Sequence, residues 1–431
     1  MKQSQQQAAL AVHAVLGGES LGPALAAAGA DRAGAARPLV HELAYGTLRH
    51  FGTLDAIVRA LADKPIADRK LHALLAVALY QLEHLRTPPF AVVDQAVAAA
   101  ADLVRPAAKS LVNALLRRFL RERDAVIARA TSEPVGRWSH PRWWISRVRV
   151  DWPQHWESIL EAGNRHPPLS LRVNVRRTSR ESLLARFAAA GIGARAEGDF
   201  GIVLEVPRPV SELPGFAKGE FSVQDLGAQL AASLVDAADG MRVLDACAAP
   251  GGKTAHLLER NDIDLVALDI DASRLARVRD NVDRLRLDSP RVRIAAGDAA
   301  QPQAWWDGAP FHRILADVPC TASGVVRRHP DGKWLRRASD VDAFASRQRE
   351  LLAALWPLLA RGGRLLYVTC SVFAAENERR VEDLLAHAPD ALRESITFPQ
   401  GVAHSGGQLL PSPEAGGHNQ DGFFYASVRK A

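Results

Sequence analysis

Cysteine is scarce in this chain: its 431 residues include three, Cys247, Cys320 and Cys370. They lie far apart, so the sequence has neither a disulfide framework nor a C-x-x-C metal knuckle. A secreted disulfide scaffold and a structural zinc site are therefore excluded. The few thiols are either small buried residues or chemical groups, and composition alone does not decide between the two.

Long apolar runs are also missing. No stretch reaches the roughly 20 residues that a membrane helix requires, and the first residues, MKQSQQQ, lack the apolar core of a secretion signal. We therefore expect a cytoplasmic protein without a membrane span. The length suits two or three domains of about 100–200 residues each, and a hydrophobic content of 48% supplies their cores.

Lysine is the third scarcity, with eight residues against 46 arginines in a chain of net charge +6. Residues 101–180 hold 16 basic against 7 acidic side chains, and five of the nine tryptophans fall there. A basic zone interleaved with planar aromatics suits phosphate neutralisation and base stacking. The same pattern also fits tryptophans packed at a domain interface and arginines on a solvated face.

The composition of the sequence and the spacing of its apolar residues change twice along the chain. Residues 1–140 are rich in alanine and leucine at helical spacing, and the segment Lys109 to Arg123 predicts a helix with a basic side. Residues 141–222 mix short strand-like runs, Leu169 to Val175 and Gly201 to Val206, with one helix, Arg180 to Ala190, which predicts a small α+β unit. From 223 to 431, apolar strand-like runs alternate with helical stretches. We therefore expect a helical domain, an α+β connector and an α/β domain.

The third segment predicts a doubly wound α/β fold of the Rossmann type. Its expected strands read as buried on both faces, as parallel strands do. They are Arg242 to Ala246, Asp264 to Asp269, Val292 to Ala295, Arg313 to Asp317 and Arg364 to Thr369, with possible edge strands at Gln408 to Leu410 and Gly422 to Val428.

The first of these strands runs into the turn Cys247-Ala248-Ala249-Pro250-Gly251-Gly252-Lys253-Thr254 and then a helix. This position is the usual ligand crevice of an α/β sheet. The end of the turn resembles a P-loop, but Cys247 occupies the place of its first glycine, and the G-x-G-x-x-G dinucleotide fingerprint is absent. The turn therefore favours a nucleoside ligand that needs no pyrophosphate cradle.

Two acidic residues extend this prediction. Asp269 ends the second strand, 18 residues after Gly251, where it can accept hydrogen bonds from ribose hydroxyls. Asp298 follows the third strand, within reach of an adenine edge. An adenosine cofactor without phosphate is S-adenosylmethionine. The opposing interpretation of each aspartate is a helix cap.

Two thiols end neighbouring strands in this prediction: Cys320 follows Asp317-Val318-Pro319, and Cys370 follows Thr369. Methylation of C5 of cytosine needs such groups, because a thiolate must first add to C6 before C5 becomes nucleophilic. A carboxylic acid near N3 assists that addition, and the thiolate is expelled once the C5 proton has left. Asp317 and the two cysteines meet this requirement, whereas Cys247 belongs to packing and the cofactor turn.

With these residues in view, the sequence resembles the Sun/RsmB family of bacterial 16S rRNA cytosine-C5 methyltransferases. The motifs that carry the resemblance are Phe221 to Asp225, Cys247 to Thr254, Asp317 to Cys320, Arg327 to Asp331 with Lys333-Trp334, Thr369 to Val372, Glu376-Asn377 and Asp421 to Tyr425. In the first half, Glu42 to Arg49 resembles a NusB-like RNA-binding domain, and Leu171 to Asn174 an RRM-like connector.

The resemblance implies roles for individual residues. S-adenosylmethionine would be held by Cys247, Ala248, Ala249, Pro250, Gly251, Gly252, Lys253, Asp269, Asp298 and Asp317. Cys370 would be the nucleophile and Cys320 would assist release, although DNA cytosine methyltransferases use the Pro-Cys cysteine as nucleophile. Val318 stands where alanine is commoner in the family, which we expect to be tolerated.

Further expectations concern Lys253 and the RNA. Lys253 is placed to pair with Asp317 and to lower the cost of negative charge on the base. We expect RNA phosphates to be gripped by Arg117, Arg121, Arg327, Arg328, Lys333 and Trp334, the last four within a basic loop whose alternative is a solvated surface.

The sequence thus predicts a monomeric enzyme without metal that methylates a cytosine of 16S rRNA, at position 967 of that RNA if the family expectation holds. The alternatives are the same chemistry on tRNA or another rRNA site, and an RNA-binding NTPase or assembly factor that uses the Gly-Gly-Lys-Thr turn.

Overall fold

The computed structural model describes residues 1–32, 34–398, 404–411 and 419–431. Two compact units divide the chain: the first comprises 1–166 and 326–338, and the second comprises 167–325 and 339–431. Every helix within the described residues is too short or too polar to cross a membrane.

The first unit is a bundle of helices around an alanine- and leucine-rich core. Its helices are α1 (Lys2–Leu16), α2 (Leu21–Ala27), α3 (Arg37–Arg49), α4 (Phe51–Leu61), α5 (Arg69–His84), α6 (Pro89–Leu103), α7 (Ala108–Ala130), α8 (Pro134–Trp138), α9 (Arg142–Asp151) and α10 (Trp156–Gly163). Asp68 caps α5, because its carboxylate accepts hydrogen bonds from the Lys70 and Leu71 amides at 2.9 and 3.0 Å.

The predicted basic helix is α7, which continues beyond Arg123 after a departure from helical geometry at Glu122 (φ −114°, ψ 18°). The tryptophans of residues 138–156 pack within this first unit. Trp144 is buried, and the ring centroids of Trp138 and Trp156 lie 5.2 Å apart, edge to face. The packing interpretation of these tryptophans therefore holds for Trp144 and for the Trp138–Trp156 pair.

The second unit begins with a small antiparallel sheet of strand order β2-β3-β1-β4, covered by one helix. Its elements are β1 (Ser170–Val173), α11 (Arg180–Ala189), β2 (Ala194–Glu197), β3 (Gly201–Leu204) and β4 (Phe221–Val223). Strands β1 and β3 and the helix match the predicted ones, whereas β2 and β4 were not predicted. Both are short, and the side chains of β2 are only partly covered, so neither has a clear apolar pattern.

The larger sheet has the order β11-β12-β13-β9-β8-β5-β6-β7, with β10 paired to β13. Its chain segments are α12 (Leu226–Val235), β5 (Arg242–Asp245), α13 (Gly252–Arg260), β6 (Asp264–Asp269), α14 (Ala272–Leu285), β7 (Val292–Ala296), β8 (Phe311–Asp317), then α15 (Gly332–Leu335) in the first unit, α16 (Ala338–Leu355), β9 (Leu359–Thr369), α17 (Glu378–His387), β10 (Ala391–Glu394), β11 (His404–Ser405), β12 (Gln408–Leu409) and β13 (Phe423–Lys430).

Strands β5 to β9 pair in parallel, and the last strands pair antiparallel, which confirms the predicted doubly wound α/β fold. Alternate side chains of β5 face opposite cores: Val243 packs on the side of α12 to α14, and Leu244 on the side of α16. One expectation was wrong. Strand β7 is not buried on both faces, because it is the last strand of the sheet.

Residues 326–338, here called the insertion segment, leave the second unit and become part of the helical one. The Lys333 side chain is fully buried there, and its Nζ donates to the Arg49 and Ser139 carbonyl oxygens at 2.7 and 3.0 Å and to the Asn164 Oδ1 at 2.7 Å. The Trp334 Nε1 donates to the Leu48 carbonyl at 2.7 Å. The segment is therefore an internal part of the helical unit.

Candidate active site

The parallel strands bring the predicted chemical residues to one edge of the larger sheet. Because β5, β6, β8 and β9 run in the same direction, their carboxyl ends meet there. The turn after β5, the aspartates that end β6 and β8, and the cysteines that follow β8 and β9 all lie at this edge.

The turn after β5 is a tight, mostly buried connection. Gly251 has φ +98°, and a Cβ there would lie 3.0 Å from the Val278 Cα, so both its conformation and its close packing require glycine. Thr254 donates its hydroxyl to the Asp245 carboxyl at 2.6 Å. Burial raises the pKa of Asp245 to about 7, and it also raises the pKa of the Cys247 thiol. Cys247 is therefore held as an unreactive thiol.

Asp269 is a buried carboxylate at the end of β6. Its Oδ2 accepts a hydrogen bond from the Ala249 amide and its Oδ1 one from the Asp271 amide, both at 3.0 Å. The bond from the Ala249 amide connects the end of β6 to the turn after β5. Each carboxylate oxygen retains a second lone pair for a hydroxyl donor.

Asp298 lies after β7 and forms an ion pair with Arg347 of α16. The Arg347 guanidinium lowers the pKa of Asp298, and the Ala300 amide donates to its Oδ1 at 2.9 Å. Arg347 was not predicted from the sequence, because an arginine on an amphipathic helix usually faces solvent and gives no signal of a site.

Lys253 and Asp317 form the ion pair that the sequence predicted, with 2.6 Å between Nζ and Oδ2. The Lys253 ammonium also lies 5.3 Å from the centroid of the Phe423 ring. Burial by itself would lower the pKa of Lys253, but the Asp317 carboxylate outweighs burial and raises that pKa. The lysine is therefore charged at neutral pH.

Cys320 and Cys370 lie side by side, with 3.4 Å between their sulfur atoms. Cys320 is buried and Cys370 is half-buried. The contact with Cys370, and then burial, raise the pKa of the Cys320 thiol well above its usual value. Both effects favour the protonated form of Cys320, and its S–H can donate to the Cys370 sulfur.

A cavity of about 270 Å³ opens at this edge. Seven predicted site residues line it: Cys247, Ala249, Asp269, Asp298, Asp317, Cys320 and Cys370. The other predicted members of the turn, Ala248, Pro250, Gly251, Gly252 and Lys253, do not line the cavity. Ile270, Arg274, Arg347 and Leu351 line it and were not predicted. Sequence spacing found most of the residues at strand ends but not Ile270 after β6, nor Arg274, Arg347 and Leu351 in the helices.

Part of the predicted RNA contact set needs correction. Lys333 and Arg327 are buried inside the helical unit, and the Trp334 ring packs edge to face on Phe51 at 5.2 Å between centroids. Burial lowers the pKa of Lys333 well below its usual value, as a lysine shielded from water requires. The Lys333 and Arg327 side chains are therefore structural and do not reach phosphates, whereas Trp334 is half-buried and its contact with RNA stays a prediction.

The side chains of the three other predicted RNA contacts are at least partly exposed to solvent. Arg117 and Arg121 are exposed on α7, and Arg328 is half-buried. The Arg117 Nε donates to the Asn113 Oδ1 at 2.9 Å, within the same helix. Their binding of RNA stays a prediction.

Three family models match the chain. The model of the 16S rRNA methyltransferases RsmB/F matches residues 232–429, a ferredoxin-like domain of RsmF/B-like methyltransferases matches 140–211, and the NusB family matches 2–121.

Similar full-length proteins include the ribosomal RNA small subunit methyltransferase B of Pseudomonas putida, 48% identical over 91% of this chain and 90% of the relative. The protein of the same name from Vibrio cholerae is 43% identical over 96% of this chain and 94% of the relative.

Among solved structures, that of PH0851 has a TM-score of 0.81 and 24% identity, and covers 100% of this chain and 99% of its own. A methyltransferase homologue from Pyrococcus horikoshii has a TM-score of 0.59 at 26% identity, over 69% of this chain and 97% of its own. These likenesses agree with the architecture described above.

Proposed function

Because the chain belongs to the RsmB/F family of 16S rRNA methyltransferases, we propose that it methylates C5 of a specific cytosine of 16S rRNA through a covalent cysteine adduct. The relatives carry the name of small-subunit rRNA methyltransferase over nearly their full length, which supports the substrate class. The observation that carries the proposed chemistry is the contact between the Cys320 and Cys370 sulfurs at the edge of the cavity.

The cofactor is S-adenosylmethionine, and the residues of the cavity fit it. Two carboxylates, Asp269 and Asp298, face the cavity as acceptors for hydroxyl and amino groups, and the small side chains of the turn after β5 leave room beside them. We assign cofactor binding to the Cys247–Lys253 turn, Asp269, Asp298 and Asp317. When bound, S-adenosylmethionine supplies an electrophilic methyl group.

Cys370 is the proposed nucleophile. It lines the cavity and is less buried than Cys320, whose thiol is held protonated. A hydrogen bond from Cys320 to the Cys370 sulfur stabilises negative charge on that sulfur, so the attack on the base is assigned to Cys370. The Cys370 sulfur adds to C6 of the cytosine, and the electrons of the C5=C6 bond become available at C5.

The Lys253–Asp317 pair is proposed to act at the opposite side of the base. Negative charge builds on the N3 side of the ring as the sulfur adds to C6. The charged Lys253 ammonium, 2.6 Å from Asp317, lowers the cost of that charge, and a proton shared within the pair can be held at N3.

Cys320 is proposed to assist release. After methylation the C5 proton is lost to solvent, its electrons re-form the C5=C6 bond, and the Cys370 sulfur leaves C6 with the electrons of the C–S bond. The Cys320 S–H, 3.4 Å away, stabilises the departing sulfur by a hydrogen bond.

The rest of the chain is proposed to bind the RNA. We propose a NusB-like helical domain over 1–140, an α+β connector over 141–222 and a methyltransferase domain over 223–431. The exposed arginines Arg117 and Arg121, with Arg328, are proposed phosphate contacts. The target cytosine must be unpaired or flipped out, since C5 and C6 are shielded within a stacked helix.

The test is transfer of labelled methyl from S-adenosylmethionine to 16S rRNA that lacks the modification, followed by mapping of the methylated base. We expect 5-methylcytosine at one site, with position 967 as the family expectation, and no transfer to tRNA under the same conditions. Methylation of tRNA alone would move the proposal to the alternative substrate. Binding of ATP but not S-adenosylhomocysteine would contradict it and favour an NTPase.

A further inference from the structure

A buried carboxyl group, that of Glu376, lies behind the two loops that carry the cysteines. Its side chain is fully buried. The Glu376 Oε2 accepts hydrogen bonds from the Thr321 hydroxyl and from the Ser371 hydroxyl, both at 2.5 Å. Its Oε1 accepts a third from the Thr321 amide at 2.8 Å. One carboxyl group thus binds both loops.

The two contacted residues directly follow the two thiols: Thr321 follows Cys320, and Ser371 follows Cys370. A shift of either neighbour therefore moves the adjacent sulfur. Because a single oxygen atom, the Glu376 Oε2, accepts from both hydroxyls, it fixes the distance between the loops and not merely the place of each.

Other bonds between the loops complete the arrangement. The Ser323 and Ser371 hydroxyl oxygens lie 2.9 Å apart, and the Ser323 hydroxyl accepts from the Val372 amide at 2.9 Å. The Gly324 amide donates to the Cys370 carbonyl at 2.9 Å. These bonds hold the loops directly, whereas Glu376 joins both loops through a single carboxyl oxygen.

Burying a carboxyl group is costly unless several donors satisfy it. Burial raises the pKa of Glu376, and the hydroxyl and amide donors oppose that rise. An apolar residue would fill the same space without this cost but could not hold two hydroxyls. The hydrogen bonds to the Thr321 and Ser371 hydroxyls therefore explain why a carboxyl group is buried at this position.

We propose that Glu376 is a positioning residue that sets the separation of the Cys320 and Cys370 sulfurs without touching the substrate. The inference rests on the proposed function for its catalytic consequence. The hydrogen bond that assists departure of the Cys370 sulfur requires the two sulfurs to stay in contact. Loss of Glu376 therefore slows release of the RNA adduct more than its formation.

The experiment measures sulfur separation directly in the full chain without RNA. Diamide, an azo oxidant, takes two hydrogens from two adjacent thiols, so that a disulfide forms and the azo group becomes a hydrazine. Mass spectrometry of the digested protein then follows the Cys320–Cys370 crosslink with time. The variants are Glu376→Ala and Glu376→Gln, and the matched control is Glu382→Gln, on the exposed side of α17.

We expect fast crosslinking in the wild type and in Glu382→Gln, much slower crosslinking in Glu376→Ala, and an intermediate rate in Glu376→Gln, which keeps one acceptor oxygen. With RNA, Glu376→Ala should accumulate adduct and lose turnover on the order of a hundredfold, as an active-site misplacement of about 1 Å does. Binding of S-adenosylhomocysteine reports that each variant is folded.

Crosslinking and adduct release at wild-type rates in a folded Glu376→Ala variant would overturn the proposal. If that variant does not fold, Glu376→Gln and Ser371→Ala, which removes one of the two hydroxyl donors, decide it by the same crosslinking rates. The crosslinking measurement needs no RNA. Its result therefore stands even if the proposed methylation is wrong, and the two failures can be told apart.

Discussion

Arg172 and Glu259 form an enclosed bidentate ion pair, in which the Arg172 Nε and Nη2 lie 2.7 Å from the two carboxylate oxygens and neither side chain meets solvent. The remaining nitrogen, Nη1, donates to the Gly252 carbonyl and to the Gln224 Oε1 at 2.6 Å. Arg172 is in β1 of the small sheet and Gly252 begins α13, so these bonds tie the small sheet to the turn after β5.

Replacing Arg172 by alanine should strongly destabilise the protein. The change leaves the Glu259 carboxylate buried without its partner, which costs about 3–5 kcal/mol of unfolding free energy. Urea unfolding measures this. The control is Arg177→Ala at an exposed position nearby, which we expect to change the unfolding free energy by less than about 0.5 kcal/mol. Equal stability of the two variants would contradict the structural role of the pair.

The two thiols should separate adduct formation from release. Cys370→Ala should abolish both methyl transfer and the covalent RNA adduct, because it removes the attacking sulfur. Cys320→Ala should form the adduct and release it poorly. Denaturing gel electrophoresis of protein bound to labelled RNA resolves the adduct. An adduct kept by Cys370→Ala and lost by Cys320→Ala would reverse the assignment.

Lys253→Gln should slow adduct formation by about a hundredfold, the usual range for loss of a positioned proton-transfer group. The glutamine removes the charge that the Lys253–Asp317 pair brings to the base side of the cavity. Single-turnover kinetics with rRNA measure this rate. Lys218→Gln, at an exposed position, is the matched control. A normal rate in Lys253→Gln would remove the lysine from the proposed mechanism.

Asp245 should make stability fall as pH rises. Burial raises the pKa of Asp245 from 3.8 to about 7, so the folded protein binds a proton that the unfolded chain releases. The unfolding free energy therefore decreases between about pH 4 and pH 7 and is then level with respect to this group. Asp245→Asn carries no proton to lose. Its stability relative to the wild type should increase across that interval, as followed by urea unfolding at several pH values.

Lys333 and Arg121 should respond in opposite ways. Lys333→Ala leaves the Arg49 and Ser139 carbonyls without their buried donor, at a cost of about 1–3 kcal/mol for each unsatisfied group, and should lower stability. Arg121→Ala, on the exposed side of α7, should leave stability unchanged and reduce the salt dependence of RNA binding by a slope of about 1. Binding of a 16S rRNA fragment at several salt concentrations measures the slope. A reduced slope in a folded Lys333→Ala variant would restore the predicted phosphate contact.

The positions of the parallel strands along the chain and the turn after β5 were predictable from sequence. Parallel strands of this kind are recognisable as short apolar runs. Each of the five parallel strands, β5 to β9, was predicted within a few residues of its observed bounds. Parallel strands end at a common edge, so residues such as Asp269 and Cys370 could be expected there without coordinates. The ion pair of Lys253 with Asp317 followed from the same reasoning.

The insertion segment could not be predicted, because nothing local distinguishes a buried basic run from a solvated one. Lys333 and Trp334 read as a loop that grips phosphates, and their partners Arg49, Ser139 and Leu48 lie nearly 200 or more positions away along the chain. A buried lysine depends on carbonyl oxygens that only folding brings together.

The sequence by itself determined the α/β fold, the cofactor turn and the presence of two thiols at strand ends, since hydrophobic periodicity and turn chemistry are local properties. Only the tertiary structure decided that the Cys320 and Cys370 sulfurs are in contact, that Arg347 pairs with Asp298, and that Glu376 binds both cysteine loops. Those features depend on burial and on distances between residues far apart in the chain, and electrostatic and hydrogen-bond energies follow from distance and burial rather than from order along the sequence.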